Sequence, residues 1–456
     1  MADTLAEPHL GLASWLAERR RSHVFEVARI PLSDLVGWGF DALTGNLVHD
    51  SGKFFAVEGV HVRSDYGPVP EWWQPIIRQP EFGILGILVK RVHGAVYCLL
   101  QAKPEPGNVN VLQLSPTVQA TRSNYTRVHR GDGTRYLDYF VRPQRGRVLI
   151  DVLQSEQGVW FYRKRNRNMI VEVGEDVEAQ EDFLWLPLEE VWRLLKLDNL
   201  VNMDARSVLS CLPLALPDWL GDGEGACDGF ARTVRDSFIG DGPSCVPTER
   251  LLNWFTEVKA GYHTSVRPIP LAEVKGWHRT EYEISHEEGK FFSVLAVDVR
   301  ASGREVSHWT QPLIAPRGEG VAAFVAKRVG GVLHVLAQAR VEPGFVDVVE
   351  LAPTVLCNPA NYRDMPRTDW PPFLDYVLAA GPERIRYSAL LSEEGGRFHC
   401  AQTRYLLVEA GDDEELDLPP NFQWMTLRQL TSLLRHSHYL NVQARSLLAC
   451  LNSVLV

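Results

Sequence analysis

Gly52-Lys53-Phe54-Phe55 is written a second time in this chain, as Gly289-Lys290-Phe291-Phe292, and the displacement of 237 residues holds far beyond the tetrapeptide. Trp72, Gln74 and Pro75 meet Trp309, Gln311 and Pro312, Lys90-Arg91-Val92 meets Lys327-Arg328-Val329, and Glu105-Pro106-Gly107 meets Glu342-Pro343-Gly344. Pro116-Thr117-Val118, Asn124-Tyr125 and Leu137-Asp138-Tyr139 find Pro353-Thr354-Val355, Asn361-Tyr362 and Leu374-Asp375-Tyr376 in the same register. On both flanks the displacement slips to 239, pairing Gly37-Trp38 with Gly276-Trp277 and Ala205-Arg206-Ser207 with Ala444-Arg445-Ser446. Chance does not hold a register that long, and two-residue adjustments belong in loops. One unit is therefore written twice, over about 15–212 and 254–451. We call the copies the front and rear halves.

The domain organisation this implies is a front repeat at 1–212, a linker at 213–253 and a rear repeat at 254–456. The linker carries Pro213, Pro217 and a run of glycines, with a short apolar piece around Phe230 to Phe238 that reads as a helix. Within the front copy, β-branched and aromatic runs predict strands at 54–62, 83–92, 95–103 and 148–153, with a hairpin turn at Val92-His93-Gly94-Ala95. Helical spacing appears at 188–195 and 204–212, where Leu188, Val191, Trp192 and Leu195 fall on one face. Each unit is expected to be an α+β domain, a mixed β-sheet flanked by helices.

Composition narrows the class of function. A chain of 456 residues with 45% hydrophobic and 23% charged residues reads as two folded domains. A formal charge of −10 argues against a nucleic-acid polymer as partner. The seven scattered cysteines form no C-x-x-C pair, no stretch is long and apolar enough to span a membrane, and the first residues lack a signal-peptide core. A cytoplasmic location without membrane attachment is the expectation. Gly52-Lys53 ends a false P-loop, because Leu47 stands where the first glycine is required. The basic run Arg163-Lys164-Arg165-Asn166-Arg167 reads as a solvated face or a phosphate contact.

The segments Trp73-Gln74-Pro75-Ile76-Ile77, Gly83-Ile84-Leu85-Gly86-Ile87-Leu88 and Gln101-Ala102-Lys103-Pro104-Glu105-Pro106-Gly107-Asn108, continuing through Gln113-Leu114-Ser115-Pro116-Thr117-Val118-Gln119-Ala120-Thr121 to Asn124-Tyr125, resemble the signature of the NDP-hexose 2,3-dehydratases. The resemblance extends, with a weaker second copy, over nearly the whole chain. It implies two tandem Nudix-like domains and a homodimer. It also implies a dTDP-linked 4-keto-6-deoxyhexose as substrate and a 3,4-diketo-2,6-dideoxy product of deoxysugar and antibiotic biosynthesis, which a following 3-ketoreductase takes up. The carboxylate-bearing helix of the Nudix hydrolases has no counterpart here, which counts against a pyrophosphatase. A nucleotide-sugar binding or scaffold protein is the remaining alternative.

The chemistry states what such a site must hold. A ketone at C4 acidifies the C3 proton, a base removes it, and the C2 hydroxyl leaves with help from an acid; the step needs no metal or redox cofactor. The densest polar stretch, Gln101 to His129, supplies the candidates. Lys103, Glu105, Tyr125 and His129 are the catalytic candidates, and Trp73, Gln101, Asn108, Asn110, Gln113, Ser115, Gln119, Arg122, Asn124 and Arg127 the substrate-binding ones. Which group is base and which acid stays open. Glu105, fixed between two prolines, is either an acid–base group or a brace of the turn. Lys103 serves enolate or pyrophosphate, and Arg122 and Arg127 are phosphate candidates. Trp73, facing Thr310 in the other copy, is the candidate for stacking on the base.

Comparison of the copies points to the front half as the working one. Asn108, Gln113, Ser115, Gln119, Arg122 and His129 are matched in the rear by Phe345, Glu350, Ala352, Leu356, Pro359 and Pro366. Positions common to both copies, such as Gly107, Pro116 and Phe54-Phe55, are expected to serve the shared fold.

Overall fold

The computed structural model describes residues 7–121, 134–174, 176–216, 229–240, 242–302 and 306–456. Each half opens with a helix, Glu7–Ser22 in front and Thr248–Gly261 in the rear. Leu12 and Leu16 are buried in the first, and Leu251 and Phe255 stand in their places in the second. The i, i+4 spacing lays each pair along one helix face, so the duplicated sequence repeats the same anchoring contact.

Each half then builds a small sheet and a large one. The front large sheet runs Arg147–Ser155, Arg165–Glu172, Gly83–Val92, Ala95–Pro104, Phe183–Pro187, with Leu112–Ser115 and Val118–Ala120 alongside its centre. Arg165–Glu172 pairs parallel to Gly83–Val92 and the other contacts are antiparallel, so the sheet is mixed as expected. The rear half repeats this order from Gly320–Val329 to Phe422–Thr426. At the predicted hairpin, His93 and Gly94 both have positive φ, 50° and 86°, the pattern of a tight turn whose twist matches its strands.

The halves are not separable beads. The first strand of the front half, Phe25–Ile30, pairs with Phe292–Ala301 of the rear, and the first rear strand, Thr264–Ile269, pairs with Ala56–Ser64 of the front. Each small sheet is thus completed by the other half, which covers an edge that is otherwise open to pairing with another chain. The linker is also more than a spacer. Its helix Gly229–Ile239 buries Val234 and Phe238, and Ser237 Oγ donates to Leu333 O at 2.6 Å while accepting from Leu427 N.

Two arginines tie the centre together. Arg206, in helix Met203–Leu209, and Arg445, in helix Val442–Leu451, are both fully buried. Arg206 donates to Val201 O of its own half and to Ser392 O of the rear, while Arg445 donates to Leu440 O of its own half and to Ser155 O of the front. A guanidinium is stable there only because carbonyls of both halves receive its protons. The repeated Ala-Arg-Ser motif is explained by this crossed bracing.

Candidate active site

Strand Ala95–Pro104 lies beside Leu112–Ser115 with Gln101 opposite Ser115 and Lys103 opposite Gln113. Cross-strand partners share a face, so these four side chains stand on one side of the sheet. Beyond the strand end, Lys103 Nζ lies 3.4 Å from Glu105 Oε1, and Gln119 Nε2 donates to the same oxygen at 2.8 Å. Asn202, whose own oxygen caps the helix Met203–Leu209, donates to Gln119 Oε1 at 3.3 Å. A relay therefore runs from the helix cap through the amide to the Glu105 carboxylate. Glu105 is 4% exposed, and its Oε2 has no hydrogen-bond partner among the described residues.

The opposite wall comes from the rear half. Gly107 N donates to Gly395 O at 2.7 Å, and Cys400 N donates to Gly107 O at 2.7 Å, so the Glu105-Pro106-Gly107 turn is clasped by the rear loop between Ile385–Ser392 and Gln402–Glu409. A Cβ on Gly107 would lie 1.7 Å from Phe398 O, which no side chain tolerates. Gly344 is clasped in the same way by the front loop, and a Cβ there would lie 1.7 Å from Phe161 O. Glycine is kept in both copies for close packing, as expected of a shared position.

That rear loop carries Glu394 to the front turn. A Cβ placed on Gly396 would lie 3.2 Å from Glu394 Oε1 and 3.8 Å from Glu105 Oε1, so the two carboxylates face one small space. Asp204, in the first turn of Met203–Leu209, and Glu156 add two more buried carboxylates, and Lys164 a buried ammonium. Burial, reinforced by Glu394, Glu156 and Glu105, raises Asp204 well above the usual carboxylate range. Burial pushes Glu394 up to about 7, with Arg397 opposing and Glu156 and Glu105 adding. Glu156 is raised chiefly by burial, and Lys164 is pulled down to about 8 by the same desolvation. Lys164 Nζ also donates to Glu81 O. Groups that hold or release protons near neutrality are what an acid–base step uses.

The rear half offers a poorer copy. Arg340 Nε donates to Glu342 Oε1 at 2.8 Å in the place of Lys103 and Glu105. Leu356 replaces Gln119, so Asn441 caps its helix as Asn202 does but its Nδ2 is buried with no partner among the described residues. The repeat places Gln157, Ala401 and Gln443 where the front cluster has Glu394, Lys164 and Asp204. Gln157 Nε2 is committed to Glu393 Oε2 and Met203 Sδ. Tyr66, from the front half's small sheet, receives a hydrogen bond from Gln338 Nε2 at 2.9 Å, and burial pushes its hydroxyl up to about 12. Its match in the sequence, Gly303, has no side chain.

The expected residues divide into three groups. Lys103, Glu105 and Gln119 meet in the front cluster, with Gln101 half-buried on the Lys103 face. Asn108, Asn110, Gln113 and Ser115 are engaged in the fold: Asn108 bonds Val111 O, Asn110 bonds Asn199 O, Gln113 bonds Asn110 and Ser392 Oγ of the rear half, and Ser115 bonds Gln101 O. Trp73 is engaged elsewhere, stacked on His61 at 4.8 Å with Lys275 Nζ 4.6 Å from its ring centre and its carbonyl accepting from Trp277. Arg122, Asn124, Tyr125, Arg127 and His129 lie outside the described residues.

Four members of the cluster escape a reading confined to the stretch 101–129: Glu156, Lys164, Asp204 and Glu394. The basic run is not simply a solvated face, since Lys164 is 5% exposed. Asp204 lies inside a helical pattern, and Glu394 lies in the other copy. The signal that finds three of them is the repeat itself, because each is ionisable on the front side and neutral at the matching place: Lys164 against Ala401, Asp204 against Gln443, Glu394 against Gln157; Glu156 is matched by Glu393 and leaves no such signal.

The sequence model of the NDP-hexose 2,3-dehydratase family matches residues 10–212 and again 248–451. A dTDP-4-dehydro-6-deoxy-alpha-D-glucopyranose 2,3-dehydratase of Saccharopolyspora spinosa is 54% identical over 443 residues, covering 96% of this chain and 90% of the relative. An enzyme of the same description from Amycolatopsis orientalis is 50% identical over 96% of this chain and 89% of its own length. A third, from Streptomyces violaceoruber, is 47% identical over 97% of both. Two matched segments fall on the two structural halves, and with relatives this similar along almost their full length the chain belongs to the NDP-hexose 2,3-dehydratase family.

Proposed function

We propose that the chain removes water across C2 and C3 of dTDP-4-keto-6-deoxyglucose, and that the front half does the chemistry. Identity near 50% over 96% of the chain with enzymes of that description supports the reaction and substrate. One observation carries the choice of half: the Asn202–Gln119–Glu105–Lys103 relay is intact in front, whereas Leu356 interrupts its counterpart in the rear. Glu105, through its unpartnered oxygen, takes the C3 proton. Lys103 faces the negative charge that develops on O4, where a cation in a buried site stabilises far more than in water. The C2 hydroxyl then departs as water, and the resulting enol becomes the 3,4-diketo-2,6-dideoxy sugar.

The mixed sheet and flanking helices of each half support a Nudix-like reading of the fold. The homodimer, the cytoplasmic location and a place in antibiotic deoxysugar assembly ahead of a 3-ketoreductase rest on the family resemblance. Adjacent ketones condense with an aromatic 1,2-diamine, so the test is to incubate the protein with the dTDP-4-keto sugar and that trap. The expected outcome is a trapped sugar nucleotide whose mass records the loss of one water. Release of dTMP on addition of Mg²⁺ would instead favour a pyrophosphatase, and tight binding with unchanged substrate a binding protein.

A further inference from the structure

We propose that Glu394, carried into the front site by the rear half, is the acid that protonates the departing C2 hydroxyl, opposite Glu105 as base. The proposal rests on the front half being the working one and assigns the acid that the reading above leaves open. Four observations lead to it. The rear loop that bears Glu394 is fixed against the front turn by the two Gly107 hydrogen bonds and, within its own half, by Gln311 Nε2 donating to Gly396 O at 2.9 Å. Glu394 Oε1 and Glu105 Oε1 both lie within 4 Å of the Cβ position of Gly396. Glu105 Oε1 is held by Gln119 and Lys103, whereas Glu105 Oε2, on a residue 4% exposed, has no hydrogen-bond partner among the described residues and can take a proton. The residue matching Glu394 on the rear side is Gln157, which has no proton to give and is spent on Glu393 and Met203.

The surroundings suit an acid at neutral pH. The charged groups around Glu394 are Lys103 and Glu105 from the front turn, Glu156 and Lys164 at the ends of the front strands, Asp204 from Met203–Leu209, Arg397 on its own loop and Arg445 behind Glu156. Burial together with the neighbouring carboxylates keeps its proton on up to about pH 7, against the pull of Arg397 and Lys164. The balance of the step closes. The C3–H bond breaks and its proton passes to Glu105, leaving the electron pair in the enolate. That pair forms C2=C3 as the C2–O bond breaks, and the departing oxygen takes the Glu394 proton and leaves as water. When the enol becomes the ketone, C2 receives the proton from Glu105 and the O3 proton returns to Glu394, which resets both groups.

In deuterium oxide two rates are measured on the same dTDP-4-keto sugar: deuterium entering C3 of recovered substrate, and loss of water. Glu394→Gln installs the residue already present at the matching rear position. The expected result is C3 exchange within about threefold of the unchanged protein and elimination slowed by about 100-fold or more, the range for loss of a positioned acid. In the unaltered protein the ratio of exchange to elimination should rise as pH passes through about 7. Elimination by E394Q at the full rate overturns the proposal, as do exchange and elimination falling together in a variant of unchanged circular dichroism. A ratio constant from about pH 5 to 9, a window that spans the raised value of Glu394, overturns it without any variant. Absence of both exchange and elimination in the unaltered protein sinks the dehydratase reading itself, which keeps the two failures distinct.

Discussion

The front and rear sites are built from one sequence pattern, yet they differ in what their carboxylates can do. Glu105 and Glu342 sit in the same Glu-Pro-Gly turn, each clasped by the opposite half, and each lies against a cation, Lys103 or Arg340. In front the surrounding positions are Gln119, Lys164, Asp204 and Glu394, and in the rear Leu356, Ala401, Gln443 and Gln157. Packing has preserved the turn in both copies, and both keep buried carboxylates, Glu342 being raised by burial with Glu350 adding, but Lys164, Asp204 and Glu394 gather around the front turn alone. A residue retained in both halves can therefore be structural in one and chemical in the other, which is why identity between copies is a poor argument against catalysis at Glu105.

The largest contrast should come from matched carboxamide variants. Glu105→Gln is expected to lower kcat by about 10²–10⁴-fold, the usual range for a positioned base, with Glu342→Gln keeping kcat within about threefold. Steady-state turnover of both variants on the dTDP-4-keto sugar checks this, and the reverse ranking would move the working site to the rear. A second contrast separates packing from chemistry. Gly107→Ala and Gly344→Ala each force a methyl group against a carbonyl 1.7 Å away. Both should cost about 1–3 kcal/mol of stability or more, as overpacking does. Gly107→Ala should cut turnover the more, because it pushes the Glu105 turn directly from the loop that carries Glu394, whereas Gly344→Ala reaches the front cluster only through the loop between Glu156 and Lys164. Thermal melts and rates on the same samples decide it.

The smallest effect is a pH-dependent gain. The folded-state pKa of Glu394, about 7, lies above the ordinary glutamate value of 4.5, so between these values the folded protein binds more protons than the unfolded chain and loses stability as pH rises. Glu394→Gln removes that loss. Above pH 7 the variant should melt slightly higher, by about 1 °C per kcal/mol recovered for a cooperative chain of this length, and the gain should fade as pH falls towards about 4.5. Melting curves across that window test it. A variant that is more stable yet slower would show a buried acid kept at a cost in stability.

Part of this architecture is legible in the sequence alone. The mixed sheet follows from the runs at 83–92 and 95–103 and the His93-Gly94 turn, since β-branched alternation and a glycine turn are local properties of the chain. Lys103, Glu105 and Gln119, which the fold brings together, lie within one polar stretch and so could be singled out as candidates. Asn108, Asn110 and Gln113 looked equally suitable, and only their bonds to Val111, Asn199 and Ser392 show that backbone and inter-half contacts claim them. Trp73 was similarly ambiguous until His61 was seen stacked on its ring.

By itself the sequence determined the duplication, the family and the chemistry demanded of the site, because repeats and motifs are written in chain order. Tertiary structure alone decided that the two halves exchange their first strands and clasp each other's turns, and hence that Glu394 faces Glu105 although the two are 289 positions apart in the numbering. Hydrogen bonds and burial depend on which surfaces meet in space, and no local propensity specifies which loop of one copy will close over which turn of the other.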